Sequence, residues 1–170
     1  MTGVQSSRVE AANDLCHARA AAASVLDPEV PVLTIDDLGV LRDVSLDDGR
    51  VTVTITPTYS GCPAMDAIRT DVIAAVRAAG FNDVVVRTVL SPAWTTDWMS
   101  DTGRERLRAY GIAPPSPVRK PGVVSLTLGV RCPQCGSPDT RELSRFGSTA
   151  CKSLWVCSSC AEPFDHFKAL

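Results

Sequence analysis

Two Cys-x-x-Cys pairs constrain this chain more than any other feature. They are Cys132-Pro133-Gln134-Cys135 and Cys157-Ser158-Ser159-Cys160, with 21 residues between the inner cysteines. A turn with two residues between its thiols can aim both sulfurs at one point, and two such turns supply four. A closed set of four sulfurs is the environment of structural zinc. The spacing predicts a zinc β-ribbon over residues 123–170, with Cys132, Cys135, Cys157 and Cys160 as the metal ligands. A module this small cannot fold on apolar burial alone. Metal binding supplies the missing free energy, on the order of 10–16 kcal/mol for structural zinc in small peptides. Gly136 follows Cys135 where the backbone turns sharply, and Leu154, Trp155, Val156, Phe164 and Phe167 are expected to cover the ribbon. His166 lies six residues beyond Cys160 and is too isolated to count as a ligand. Cys151 is a fifth thiol in the module, open to two readings: a small buried apolar group, or a thiol that exchanges into a metal site.

The rest of the chain predicts an α+β domain, with helices packed on a sheet of three to four strands. Residues 8–26 are alanine-rich and helical in propensity, with Leu15, Ala22 and Leu26 as the expected buried stripe. Asp27-Pro28 ends that helix, because a residue before proline is pushed out of the helical region. Segments 40–46 and 51–55 alternate around Asp47-Asp48-Gly49, a hairpin signature. Residues 63–79 carry apolar side chains at Met65, Ile68, Val72, Ile73 and Val76, with Pro63 suited to the helix start and Gly80 to its end. A third strand is expected within 81–90. A short helix follows over 101–110, capped by Ser100 or Asp101. Four prolines between 113 and 122 mark a stiff linker. The expected division is therefore 1–115, a linker at 116–122, and the ribbon at 123–170, whose first strand is expected over 123–130.

Bulk properties narrow the partners. The 170 residues carry a formal charge of −2, with no block of one sign. The ribbon region holds five Lys/Arg and four Asp/Glu, and a tetrathiolate zinc site would leave it slightly negative. Nucleic-acid binding needs clustered cations, so a protein partner is expected, with neither nucleic acid nor membrane. There is no run of 18 apolar residues, and residues 1–10 lack the plan of an export signal. Seven cysteines without such a signal read as cytoplasmic thiols and metal ligands. A homo-oligomer stays open.

Three further constellations could carry chemistry. Cys62 stands just before the clearest helix, where orphan amides and the helix dipole stabilise a thiolate. It is either a buried structural cysteine or a metal-transfer or redox thiol. With only His17 and His166 in the chain, a Cys–His enzyme lacks its base. Asp27-Pro28-Glu29-Val30-Pro31 sets two carboxylates about a proline. They either shape the helix end or, with Cys62, form a mixed oxygen and sulfur site suited to transient iron. Trp94, Trp98 and Met99 are either core or a partner patch.

Several pieces then appear in a familiar order: Asp27-Pro28-Glu29-Val30-Pro31, Ile35-Asp36-Asp37-Leu38-Gly39-Val40, Thr56-Pro57-Thr58-Tyr59-Ser60-Gly61-Cys62-Pro63, Trp98-Met99-Ser100 and Gly111-Ile112-Ala113-Pro114-Pro115. Residues 1–115 resemble the SufT-type domain of iron–sulfur cluster assembly. Together with the ribbon and Phe146-Gly147-Ser148-Thr149-Ala150-Cys151-Lys152, the chain resembles the PaaD family, also called phenylacetate-CoA oxygenase subunit PaaJ. The resemblance implies an accessory subunit of the phenylacetyl-CoA epoxidase system of phenylacetate degradation, not catalytic alone. Its partners would be the epoxidase subunits, and its role maturation of their iron or iron–sulfur centres; a stable structural subunit is the alternative. It also implies that Cys62, with Asp27 and Glu29, handles iron or a nascent cluster. The chain itself lacks the paired Glu-x-x-His motifs of a di-iron site and any Gly-x-Gly-x-x-Gly loop.

Overall fold

In the computed structural model the structure describes residues 3–59, 61–116 and 129–169, and from residue 10 onward for side chains in the first helix. Its contacts gather into two compact units, 1–94 and 95–170. Each is α+β in its own way.

The first unit runs α1 (Gly3–Ala23), β1 (Leu41–Asp47), β2 (Arg50–Ile55), α2 (Ala64–Ala78) and β3 (Asp83–Thr88). β1 and β2 form an antiparallel hairpin that closes on the pair Asp47 and Arg50. Asp48 and Gly49 both take positive φ, 48° and 79°. This is the turn whose twist matches the strands it joins. β2 and β3 are parallel, so α2 must cross over between them. Val51, Val53 and Ile55 are fully buried on one face of the sheet, and Ile68, Val72 and Val76 of α2 complete that core. Arg69 ties α2 to β3, donating to the Val86 carbonyl at 2.9 Å and to the Thr88 hydroxyl at 2.9 Å.

α1 differs from its expected form. It begins at Gly3 rather than near residue 8 and presents Ala18 and Ala22, both fully buried. Leu15 and Leu26 face solvent at 36% and 50% exposure. The helix ends at Ala23, so Leu26 falls beyond it, in a bridge with Thr34. Small alanines allow close backbone approach, so the contact face carries methyl groups and not leucines. Trp94 belongs to this core, with its indole N–H donating to the Leu38 carbonyl at 3.0 Å.

The second unit starts with a short 3-10 turn (Thr96–Trp98) and α3 (Asp101–Ala109), whose N-cap Ser100 accepts from the Gly103 amide at 2.9 Å. Three antiparallel strands follow in order: β4 (Thr140–Ser144), β5 (Lys152–Cys157) and β6 (Pro163–Phe167). Residues 95–116 are gathered with the ribbon for a specific reason. Ala113 bridges to β6, donating to the Asp165 carbonyl at 2.8 Å and accepting from the Phe167 amide at 2.9 Å. Arg104 of α3 donates to the carbonyls of Thr96 and Pro115, at 2.7 and 3.0 Å. The contacts thus cut the chain earlier than the prolines do. The expected linker at 116–122 and first ribbon strand at 123–130 lie almost wholly outside the described residues. Among the described residues no helix is long and apolar enough to cross a membrane.

Candidate functional site

The two Cys-x-x-Cys turns bring their sulfurs together. The Sγ atoms of Cys132, Cys135, Cys157 and Cys160 all lie within 4.8 Å of one another. Cys132 and Cys160 are 3.7 Å apart, and Cys135 and Cys157 are 3.5 Å apart. A tetrahedron with metal–sulfur bonds of about 2.3 Å has edges of about 3.8 Å, so the set fits a closed tetrathiolate metal centre. The turns also aim amides at the sulfurs. The Cys160 amide is the main reason that the Cys157 thiol falls to about 6. The Glu162 amide favours the Cys160 thiolate, yet burial and three neighbouring thiols push that group up to about 12. Four thiols this close cannot all ionise without a cation among them. Cys132 and Cys157 pack with Ala113 and Phe164, with Val130 and Trp155 against them. Cys151 and His166 stand apart from the four sulfurs: Cys151 is 4% exposed, with its sulfur 3.0 Å from the Thr149 hydroxyl.

The second site sits where the fold of the first unit delivers it. β2 ends at Ile55, and the chain returns through a loop to the start of α2. The carboxyl ends of parallel strands and the first turn of the crossover helix form a natural binding crevice. Gly61 has φ 89°, which lets the loop reverse just before Cys62. Cys62 is half-buried, and the cap residue Pro63 brings no side-chain hydrogen bond. The Cys62 sulfur takes a place there as acceptor from the Ala64 amide.

The helix end does not win, however. Burial raises the Cys62 thiol first of all; the Ala64 amide lowers it, Glu29 and then Asp27 raise it, and the Thr58 hydroxyl lowers it. The thiolate expected from the helix end is thus outweighed by burial and two carboxylates. The charges of Glu29 and Asp27 are thus felt at the Cys62 thiol. These groups are not gathered as tightly as the ribbon cysteines. Those four are the one group of three or more metal-type ligands brought this close among the described residues. Asp27 is 6% exposed, and its Oδ1 accepts from the amides of Glu29 at 2.9 Å and Val30 at 2.8 Å. Glu29 is half-buried. Thr58 is a member of the site that sequence reasoning missed. Its one signal is a hydroxyl four residues before the cysteine, within the same loop. Trp94 and Met99 are buried and Trp98 is half-buried, so the tryptophan stretch is largely core.

Comparison with known proteins assigns a family to each of two stretches of the chain. Residues 17–87 match the iron–sulfur cluster assembly protein family, and residues 117–168 match the PaaD zinc β-ribbon domain. An iron–sulfur assembly domain is thus joined to a metal ribbon in one chain. A crystal structure of a domain of unknown function, DUF59, from Bacillus anthracis superposes with a TM-score of 0.54 at 27% identity. It covers 59% of this chain and 96% of that one. An Fe-S protein maturation auxiliary factor of Porphyromonas gingivalis is 41% identical over 80 residues, 46% of this chain and 75% of its own. A putative 1,2-phenylacetyl-CoA epoxidase subunit of Escherichia coli (strain K12) is 50% identical over 149 residues, 87% of this chain and 88% of that protein. The chain belongs to the same family as that subunit, the PaaD family.

Proposed function

We propose that the chain is an accessory subunit of a phenylacetyl-CoA epoxidase system in phenylacetate degradation, acting in the cytoplasm as a maturation factor for its iron or iron–sulfur centres. The observation that carries this reading is a half-buried thiol, Cys62, at the start of α2, feeling the charges of Glu29 and Asp27, in a domain that matches iron–sulfur assembly proteins. Identity over nearly the whole chain to an epoxidase subunit supplies the client class. In this reading Cys62 is the group that holds iron or a nascent cluster in transit, with the carboxylates as its companions. Zinc is the structural metal of the ribbon, held by Cys132, Cys135, Cys157 and Cys160. It closes the four-sulfur set and leaves no open position for catalysis. The ribbon docks the client subunits.

The alternative is a stable, non-catalytic structural subunit, which co-purification at fixed stoichiometry would favour. One experiment separates the two. Epoxidase is made in cells whose only copy of this chain carries Cys62→Ser, and its iron is quantified. Maturation predicts a folded, zinc-loaded variant and an iron-poor epoxidase. Iron-replete, fully active epoxidase from those cells would sink the maturation role.

A further inference from the structure

We propose that the groove beside Phe146 is the docking face of the ribbon, and that its occupant is a client segment presenting an apolar side chain next to a carboxylate. This rests on the reading that the ribbon docks the client subunits, and it says where and by what chemistry. Phe146 is 75% exposed, and Leu143 on the preceding strand is 46% exposed. Beside Phe146 opens a groove of about 510 Å³, with apolar walls from Phe146, Leu154, Pro163 and Phe164 and with Ser148 and Asp165 in its lining. A lone exposed ring on a slack loop would need no explanation, but this loop is fastened at several points. The Phe146 amide donates to the Ser144 hydroxyl at 3.1 Å, and the Gly147 amide to the Lys152 carbonyl at 2.9 Å. Ser148 donates to Asp165 Oδ2 at 3.0 Å, and the ammonium of the buried Lys152 lies 4.0 Å from the same oxygen. The Lys168 ammonium donates to the Arg145 carbonyl at 3.2 Å and sits 5.4 Å from the centre of the Phe146 ring. Gly147 packs so closely that a Cβ there would lie 2.7 Å from Asp165 Oδ1. The loop is thus ordered before a partner arrives, and an aromatic side chain displayed on it loses little conformational freedom on binding.

Charge selects the occupant. Residues opposite one another on paired strands share a face, so Arg141, Ser144, Leu154, Val156, Pro163 and Asp165 stand together on the groove side of the sheet. Asp165 is the one carboxylate of the three strands on that side, and it is already taken up by Ser148 and Lys152. The other acidic residues of the ribbon stand elsewhere. Glu142 pairs with Trp155 on the opposite face, Asp139 precedes β4, and Glu162 precedes β6. Arg141 on the face, with Arg145 and Lys168 at the Phe146 end, leaves the groove side cationic. An acidic partner is steered to such a surface and a basic one repelled. The apolar walls require a side chain that can be buried against Phe146, the arrangement of an interface hot spot. A second copy of this chain would bring the same cations with its own Phe146. Nucleic-acid phosphates would supply the charge but nothing apolar for the walls.

The test uses the full, zinc-loaded chain and, as probe, phenylacetyl-CoA epoxidase purified from cells that lack this chain, with binding followed by interferometry. Phe146→Ala should weaken binding by at least about tenfold, as the loss of a hot-spot aromatic does. Lys168→Glu should weaken it too, and rising salt should weaken wild type more steeply than Lys168→Gln. Glu142→Gln, on the opposite face, should bind as wild type does. Zinc content and thermal unfolding of each variant separate a lost fold from a lost contact, and the salt comparison remains decisive even if Phe146→Ala does not fold. Equal binding by a folded Phe146→Ala and wild type, or equal salt slopes for Lys168→Gln and wild type, overturns the assignment and leaves the client reading standing. Dimerisation of the free chain that Phe146→Ala abolishes, with epoxidase binding unchanged, overturns it in favour of a second copy. Binding to duplex DNA that Lys168→Glu abolishes, with epoxidase binding unchanged, overturns it in favour of nucleic acid. Failure of wild type itself to bind the epoxidase overturns the docking reading beneath it, and the assignment with it.

Discussion

The two units solve the problem of holding a fold by opposite means. The first closes on apolar burial: Leu33, Ile35, Val51, Val53, Ile55, Val72 and Val76 are all fully buried, packed between a sheet and its helices. The second has short strands of five or six residues, and two of its buried positions are metal-type cysteines, Cys132 and Cys157. The difference shows where each can afford reactivity. A core made of hydrocarbon needs no thiol, and Cys62 stands half-buried at the start of α2. The ribbon instead draws all four of its paired cysteines into one cluster, with Cys132 and Cys157 buried among its apolar side chains.

That contrast can be broken by attacking each core in turn. The largest effect is expected from the ribbon. Cys157→Ser, or removal of the metal with a strong chelator, forfeits binding energy on the order of 10–16 kcal/mol. The ribbon should unfold while the first unit keeps its own transition, read as the loss of one set of resolved amide resonances and the retention of the other. If both sets vanish together, the units do not fold by separate means. A smaller effect should come from the first core. Ile55 is fully buried, and Ile55→Ala should cost about 2–5 kcal/mol in chemical denaturation. Metal stoichiometry should stay at the wild-type value. A variant that also lost metal would show that the apolar unit supports the ribbon.

The same contrast explains what could be read from the sequence. The ribbon ligands were legible because two Cys-x-x-Cys turns admit few geometries, and the hairpin was legible because Asp48-Gly49 suits one turn. α2 was legible from its periodic apolar face. α1 was legible as a helix but only partly in its face: Ala22 is buried as expected, yet Ala18 and not Leu15 or Leu26 joins it, and alanine spacing is silent in an alanine-rich helix. The position of Cys62 at a helix start was visible, but the direction of its thiol was not. Burial depends on the loop that covers it, and Glu29 and Asp27 come from far along the chain. Ala113 illustrates the same limit. Its bridge to His166 spans half a hundred residues, and no local pattern announces that residues after α3 will be clipped to β6.

The smallest expected effect tests how far the ribbon still depends on ordinary burial. His166 lies on β6 with its ring edge-on to Trp155, at 5.7 Å between centroids. Its Nδ1 is 3.4 Å from the Ser153 hydroxyl, which also accepts from the Trp155 indole, and its buried Nε2 has no partner among the described residues. A proton on this ring would bring a charge into an apolar setting, and burial lowers the imidazole from 6.5 to about 4. Above pH 6.5 the ring is neutral in both the folded and unfolded chain, and its contribution to stability is fully present. As the pH falls from 6.5 through 4, the unfolded chain takes up the proton first, and that contribution is lost. Allowing for partial solvent screening, the loss should be about 2 kcal/mol. His166→Phe keeps an aromatic ring against Trp155 and removes the titration. The metal cysteines titrate in both proteins, so the informative quantity is the difference between them. Unfolding of the metal-loaded ribbon should lose less stability between pH 7 and pH 4.5 in the variant than in wild type. Equal losses would mean that the metal alone sets the acid limit of the ribbon, and that its apolar face contributes nothing to it.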